Sequence, residues 1–298
     1  MTTKGRTVRL FLVDGTPSGV LTAEIMNWTG KFTVAPRSQL SDLSTREEIR
    51  RSGIYILTGE NPKDPSEDIV YIGESDNVWD RLANHNRDAK KDFWRRTVVV
   101  TSKDENLTKA HTRYLESRLI QIATQAGRVK LANNTNPENT NLPEPDVADM
   151  KYFLGQVLML LPVLGFNFAV SLPSFGQKDE PLEFHKESLI FVMTYSGAEA
   201  TAQEIGGEFV IFEGSTARKR HTKTLSDSYI QMRERLLKDG KLADSDDPGY
   251  WVFTQNVPFS STSTAANIVG GAQLNGRVTW KEKESGKTYG EWQEEQTE

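Results

Sequence analysis

From Gly53 to Gly127 the chain reads as strand, strand, helix, strand, helix, and this succession limits what it can fold into more than any other feature. Gly53-Ile54-Tyr55-Ile56-Leu57 and Ile69-Val70-Tyr71-Ile72-Gly73 are β-rich runs. The polar stretch 59–68 between them predicts a hairpin with a long loop. Ser75 stands where it can cap a helix over about 76–86, residues 97–101 predict a third strand, and 107–126 predict a longer helix closed by Gly127.

The flanks read less sharply. Residues 7–13 and 20–28 are β-rich runs joined by Asp14-Gly15-Thr16-Pro17-Ser18-Gly19, a turn-rich connection, and 31–35 add a third candidate strand. Ser44 with Glu47 matches a capping box and predicts a short helix over 45–51 ending at Gly53. Residues 1–52 are thus expected to be a β-rich extension, and 53–145 the main domain, ending in an Asn-, Pro- and Glu-rich loop over 133–148. Residues 146–187 are expected to supply a connecting helix over about 147–161 and a polar linker over 173–185, before a last domain over 188–298 that starts with a strand at 188–194.

Composition excludes several classes. With 298 residues, 37% hydrophobic and 26% charged, the chain is neither disordered nor fibrous. It has no cysteine, which removes disulfides, thiolate metal sites and a thiol nucleophile. Residues 152–177 carry no charged side chain and approach the length of a membrane span, but Gln156, Pro162, Gly165, Asn167 and Pro173 interrupt them. A buried helix followed by a strand is expected there, with no membrane partner and, absent an export signal, a cytoplasmic location. Net charge is −5, yet residues 81–130 hold 12 Lys and Arg against 5 Asp and Glu, so this block is at +7 and the remainder at −12. A local basic surface of this kind suits a phosphate-rich partner, and a pair of solvated helix faces would look the same.

The tripeptides Gly53-Ile54-Tyr55 and Tyr71-Ile72-Gly73 resemble the two halves of the GIY-YIG nuclease signature. Arg81 and His85 on the following helix, Glu116 in Tyr114-Leu115-Glu116, and Asn133 in Leu131-Ala132-Asn133-Asn134 resemble the remaining polar residues of that family in its order. The resemblance covers about eighty residues. It implies an α+β domain built on a three-stranded antiparallel sheet flanked by helices, and a divalent-metal-dependent endonuclease acting on DNA, with RNA left open. It also implies one Mg²⁺ or Mn²⁺ held by Glu116, Tyr55 as general base, Tyr71 orienting water or phosphate, and Asn133 holding geometry by hydrogen bonds. Arg81 and His85, four apart, share a helix face. Arg81 can grip phosphate in its planar fork, and His85 can take the proton Tyr55 gives up. A phenol of ordinary pKa about 10 needs Arg81, the metal or His85 to lower it. Lys90, Lys91, Arg95 and Arg96 are the candidate contacts to nucleic acid, and pairing of two copies to cut both strands stays open.

Taken singly, each of these residues has a bland reading: tyrosines in a hairpin core, charges on helix surfaces. His111, five residues before Glu116, is off its face and is left out of the site; His185 and His221 are expected to face solvent. In the last hundred residues, Phe209-Val210-Ile211-Phe212-Glu213-Gly214-Ser215, Phe259-Ser260-Ser261 through Gly270-Gly271, and Asn275-Gly276-Arg277 with Trp280 resemble a domain of unknown function that follows bacterial nuclease domains. Its basic cluster Arg218-Lys219-Arg220-His221 with Lys223, beside Trp251, Trp280 and Trp292, can hold nucleic acid, although tryptophans more often pack in a core. Against the nuclease stand two other readings: a non-catalytic nucleic-acid-binding or regulatory module, and a scaffold whose last domain binds proteins.

Overall fold

The computed structural model describes residues 5–62, 64–133, 142–170 and 189–296. The expected linker over 173–185 and His185 lie outside them. The chain divides into two compact units, 1–171 and 172–298. Both are mixed α and β.

The first unit is built on one seven-stranded sheet in the order β1-β2-β3-β6-β4-β5-β7. Its strands are β1 (Val8–Leu12), β2 (Leu21–Ile25), β3 (Gly30–Pro36), β4 (Gly53–Asn61), β5 (Asp64–Ser75), β6 (Trp94–Ser102) and β7 (Lys130–Leu131). Every pair is antiparallel except β5 with β7. The sheet is therefore not the three strands expected: β6, β4 and β5 are adjacent, but β3 pairs with β6 over seven residues and brings the first 52 residues into the same sheet. Val34 beside Val98 and Phe32 beside Val100 show why, since each apolar pair is buried on both strands.

Helices cover both faces. Alternation sends Ile54, Ile56, Ile72, Val98 and Val100 to one side, where they pack with α3 (Lys109–Ala126) and α4 (Glu144–Val163) through Leu115, Leu119, Phe153, Val157 and Leu160. Tyr55, Leu57 and Val99 point the other way, into a core with α1 (Leu40–Leu43), α2 (Val78–Arg87), Ile49 and Trp94. Helix α4 thus belongs to this unit's core and is no connector. No helix among the described residues is long and apolar enough to cross a membrane. Pro162 falls in its last turn, and residues 164–170 form turns where a strand was expected.

Local signals were displaced by a few residues. Strands β4 and β5 stay paired to Asn61 and Asp64, so the long hairpin loop does not exist. Asn77, not Ser75, caps α2 by accepting from Asp80 N; the Ser75 hydroxyl accepts from Asn77 N and donates to Asn77 O. Ser44 bonds back to Ser41 O at the end of α1, and 47–50 make a single 3₁₀ turn, so the capping-box helix does not form. Thr108 caps α3, and its partner in the capping box is His111, whose Nδ1 accepts from Thr108 N at 3.3 Å.

The second unit has an antiparallel sheet in the order β14-β10-β9-β8-β15 and a smaller one, β11-β13-β12. Its elements in chain order are β8 (Ile190–Tyr195), β9 (Ala198–Ile205), β10 (Glu208–Ile211), β11 (Thr216–Arg218), α5 (Asp227–Lys238), β12 (Leu242–Asp244), β13 (Tyr250–Phe253), β14 (Val257–Phe259), α6 (Thr262–Gly270), α7 (Gly276–Thr279), β15 (Lys281–Glu282) and α8 (Tyr289–Glu295). Helix α6 is buried from Ala265 to Gly270, through Ala265, Ala266, Ile268 and Val269. Trp280 is sealed against it, its indole donating to Thr262 O at 3.0 Å. Trp292 packs on Phe191 and Tyr289, so these two tryptophans are packing residues.

Gly276 touches the first turn of α6 so closely that a Cβ would stand 2.2 Å from the Thr262 carbonyl carbon and 2.3 Å from Ser263 N. Backbone cannot yield as a side chain can, so Gly276→Ala is expected to destabilise the second unit by about 2 kcal/mol. Urea unfolding checks this; a midpoint equal to that of the parent would refute the contact.

Candidate active site

The site is built on the outer edge of β5. Strand β7 covers that edge only at Ile69 and Val70, and Ala132 N adds a bond to Val70 O at 2.8 Å. Beyond it, Asn133 does what another strand would: its Oδ1 accepts from Ile72 N at 3.1 Å and its Nδ2 donates to Ile72 O at 2.7 Å. Two residues further on, the Glu116 carboxylate, presented from α3, faces the Glu74 N–H closely enough for that dipole to favour its charged form. Both anchors follow from the two-residue period, which turns the backbone groups of 70, 72 and 74 outward together.

Tyr55 stands opposite Gly73 on the neighbouring strand. A Cβ on Gly73 would lie 2.5 Å from the Tyr55 hydroxyl and Cζ, so the glycine of the second tripeptide makes the space for the tyrosine of the first. The Tyr55 hydroxyl is 2.8 Å from His85 Nε2. The rings of Tyr55, Tyr71 and His85 form a triangle with centroid separations of 6.1, 5.5 and 5.3 Å. Arg81, one turn before His85 on α2 and exposed, acts electrostatically on all three rings and on Glu116. All six residues singled out from the sequence thus surround one stretch of β5.

Lys91 completes the layer, its ammonium 2.9 Å from the centre of the Tyr71 ring. Lys90 and Arg95 are exposed nearby in sequence, and Arg95 donates to Asp92 O. Arg96 differs: it points to the opposite face of the sheet, where it stacks 4.9 Å from the Phe166 ring and donates to Leu164 O. The alternation of β6 separates Arg95 from Arg96, and the second leaves the candidate interface.

Burial dominates the protonation of this site. Tyr55 is only 1% exposed, and burial followed by the neighbouring Tyr71 raises its phenol well above the ordinary 10; Arg81 pulls the other way and does not win. Arg81 by itself therefore does not bring this phenol down. Burial also raises Tyr71. Burial, then Lys91 and Arg81, push His85 down to about 4, leaving a neutral imidazole that accepts from Tyr55. Lys91 is lowered by burial to about 8. Glu116 is raised to about 7, first by burial and then by the Glu74 carboxylate, against the pull of the Glu74 N–H, Arg113 and Arg81.

Glu74 was missed in the sequence. It is held by Thr112 Oγ1 at 3.2 Å and by Arg113 Nε at 3.7 Å. A charged residue on the apolar face shared with Ile72 was the available signal. Among the described residues no group of three or more His, Asp or Glu is placed to hold a metal ion, so a cation here would rest on Glu116 with water and substrate oxygens. His111 is accounted for as a cap and lies 3.7 Å from Asp146.

Comparison with known proteins matches residues 191–293 to the model of a domain of unknown function (DUF4357), in agreement with the resemblance noted for the last hundred residues. No curated protein and no solved structure matches the chain.

Protonation and stability are linked with opposite signs at the two central groups. Glu116 has a folded pKa above its unfolded value of 4.5, so its contribution is full below that value and is lost as pH rises through about 7. His85 lies below its unfolded 6.5, so its contribution is full above that value and is lost as pH falls toward about 4. Glu116→Gln keeps an acceptor for the Glu74 N–H without the charge. It is expected to raise the thermal midpoint by a few degrees near about pH 8 and hardly at all near about pH 5. An equal difference at both would mean that Glu116 is not held against ionisation.

Proposed function

We propose that the first unit is a GIY-YIG-type endonuclease that hydrolyses phosphodiester bonds in DNA with the help of one divalent cation. The observation that carries this reading is the convergence of Tyr55, Tyr71, Arg81, His85, Glu116 and Asn133 on the outer edge of β5.

The donor set fits a hard cation. Glu116 is ionised only with difficulty beside Glu74, and one carboxylate oxygen with waters and phosphate oxygens suits Mg²⁺ or Mn²⁺. Such a cation supplies charge neutralisation on the phosphate and eases departure of the leaving oxygen. The chain's own residues do the rest. Tyr55 takes a proton from the water that attacks phosphorus as it passes its own along the 2.8 Å bond to the neutral His85 imidazole, a concerted relay that forms no free phenolate, and His85 then gives that proton up to solvent. The P–O bond to the leaving oxygen breaks, and that oxygen ends protonated from solvent. Arg81 binds the phosphate oxygens and Tyr71 orients the water.

With Tyr55 1% exposed, water reaches its hydroxyl only when neighbouring side chains move. That burial is also the observation favouring the second reading, a nucleic-acid-binding or regulatory module without turnover. Lys91, Lys90, Arg95 and the +7 charge of residues 81–130 support a nucleic-acid partner under either reading.

Cleavage of supercoiled, linear, branched and single-stranded DNA, and of RNA, titrated with Mg²⁺ and Mn²⁺, separates the two. Glu116→Ala and Tyr55→Phe are each expected to lower metal-stimulated nicking by about 10²- to 10³-fold with retained folding. Undiminished nicking in Glu116→Ala would refute the catalytic reading, and binding without nicking by the parent would favour the second.

A further inference from the structure

In the second unit the basic run Arg218-Lys219-Arg220-His221, with Lys223, sits on an unusual base. Arg233 of α5 is 2% exposed, and its guanidinium donates to Ile268 O at 2.6 Å, to Arg218 O, and to Lys219 O at 3.4 Å, with its carbon 4.8 Å from the centre of the Trp251 ring. Arg218 donates to Gly270 O at 3.4 Å and stands 5.7 Å from the Tyr195 ring. Both cations thus lean on the C-terminal end of α6, which offers the equivalent of about half a negative charge. Two full charges against that half leave a surplus, and burial means that salt screens it poorly. Among the described residues neither guanidinium forms an ion pair. Burial and Arg218 bring Arg233 down to about 10, which leaves it charged at neutral pH.

The same contacts hold the loop. Arg233 ties the end of β11 to the end of α6, and Thr222 N donates to Gly271 O at 2.8 Å. On this fixed main chain the side chains of Arg220, His221 and Lys223 are exposed. Among the acids around it, Asp244 pairs with Lys219 at 2.7 Å, Asp247 accepts from Gly249 N at 2.8 Å, and Asp227 lies in the first turn of α5, where the helix dipole favours it.

We propose that the loop 218–223 is a nucleic-acid contact of the second unit, in which Arg220, His221 and Lys223 bind successive phosphates of one strand above Arg218 and Arg233. Three residues of chain reach at most about 10 Å, and one strand presents a phosphate per about 3.4 Å of duplex axis, so side chains as long as those of Arg220 and Lys223 reach neighbouring phosphates. Around the loop Thr222, Thr224 and Ser226 offer hydroxyls, which bond phosphate oxygens and give nothing apolar to enter a lipid layer. The contact requires no turnover and does not rest on the catalytic reading of the first unit.

The test is fluorescence anisotropy of labelled single-stranded and duplex DNA with the full chain, in EDTA so that nothing is cleaved, across a salt titration. Arg220→Ala/Lys223→Ala is expected to weaken binding about tenfold near physiological salt and to flatten the slope of log affinity against log salt by about 1.8, at ~0.9 per lost phosphate contact. The charge-preserving Arg220→Lys/Lys223→Arg is expected to keep the parental slope. Parental affinity and slope in the double alanine variant would overturn the proposal, as would equal losses in both double variants or no binding by the parent. A failure of cleavage with this salt effect intact would count against the catalytic reading alone.

Discussion

Asn133 bonds through both ends of its side-chain amide to the backbone of Ile72, in the place the next residue of a paired strand would occupy. A sheet edge left bare exposes donors and acceptors that either bind water or recruit another chain. Here the edge of β5 is closed by β7 at Ile69 and Val70, by Ala132 at Val70 O and by Asn133 at Ile72, and the Glu116 carboxylate faces it at the Glu74 N–H. Had β7 run two residues further, its main chain would occupy the ground on which the Glu116 carboxylate and the Asn133 amide stand. The shortness of β7 is what leaves an edge for side chains to use.

The rest of the site follows from packing against that edge. Gly73 opposite Tyr55 lets the phenol ring lie flat on β5, which brings its hydroxyl to His85 and its ring beside Tyr71. Burial then sets the protonation states. It keeps both the phenol and the imidazole neutral, so in the tautomer that carries its proton on Nδ1 the imidazole accepts from the phenol. A phenol lowered by its neighbours would ionise spontaneously; burial holds this one protonated.

Much of this was legible in the sequence because it depends on short-range periods. Alternation and order placed β4, β5, β6, α2 and α3, and the four-residue spacing brought Arg81 and His85 onto one face. What the sequence hid is non-local or steric. Pairing of β3 with β6 joins residues about 65 apart, and no local signal marks the first 52 residues as part of the same sheet. The Gly59 to Asp68 stretch is polar and reads as loop, yet it continues a strand because β4 and β5 pair with each other through it. His111 as a capping residue and Arg96 on the far face turn on a single position of register, below the resolution of pattern reading.

The two units share an electrostatic arrangement of opposite sign. In the first, Glu116 is half-buried beside Glu74, and Arg113 at 3.7 Å from Glu74 answers only part of the repulsion. In the second, Arg233 is buried beside Arg218 with carbonyls as its acceptors. A buried like-charge pair is costly to the folded state, because low dielectric strengthens repulsion as well as attraction. A chain that carries such pairs has its stability coupled to whatever supplies the missing charge, since a ligand that binds only the folded form returns that free energy by mass action. The cation and the phosphate-bearing strand proposed above would each supply charge of the sign that its pair lacks.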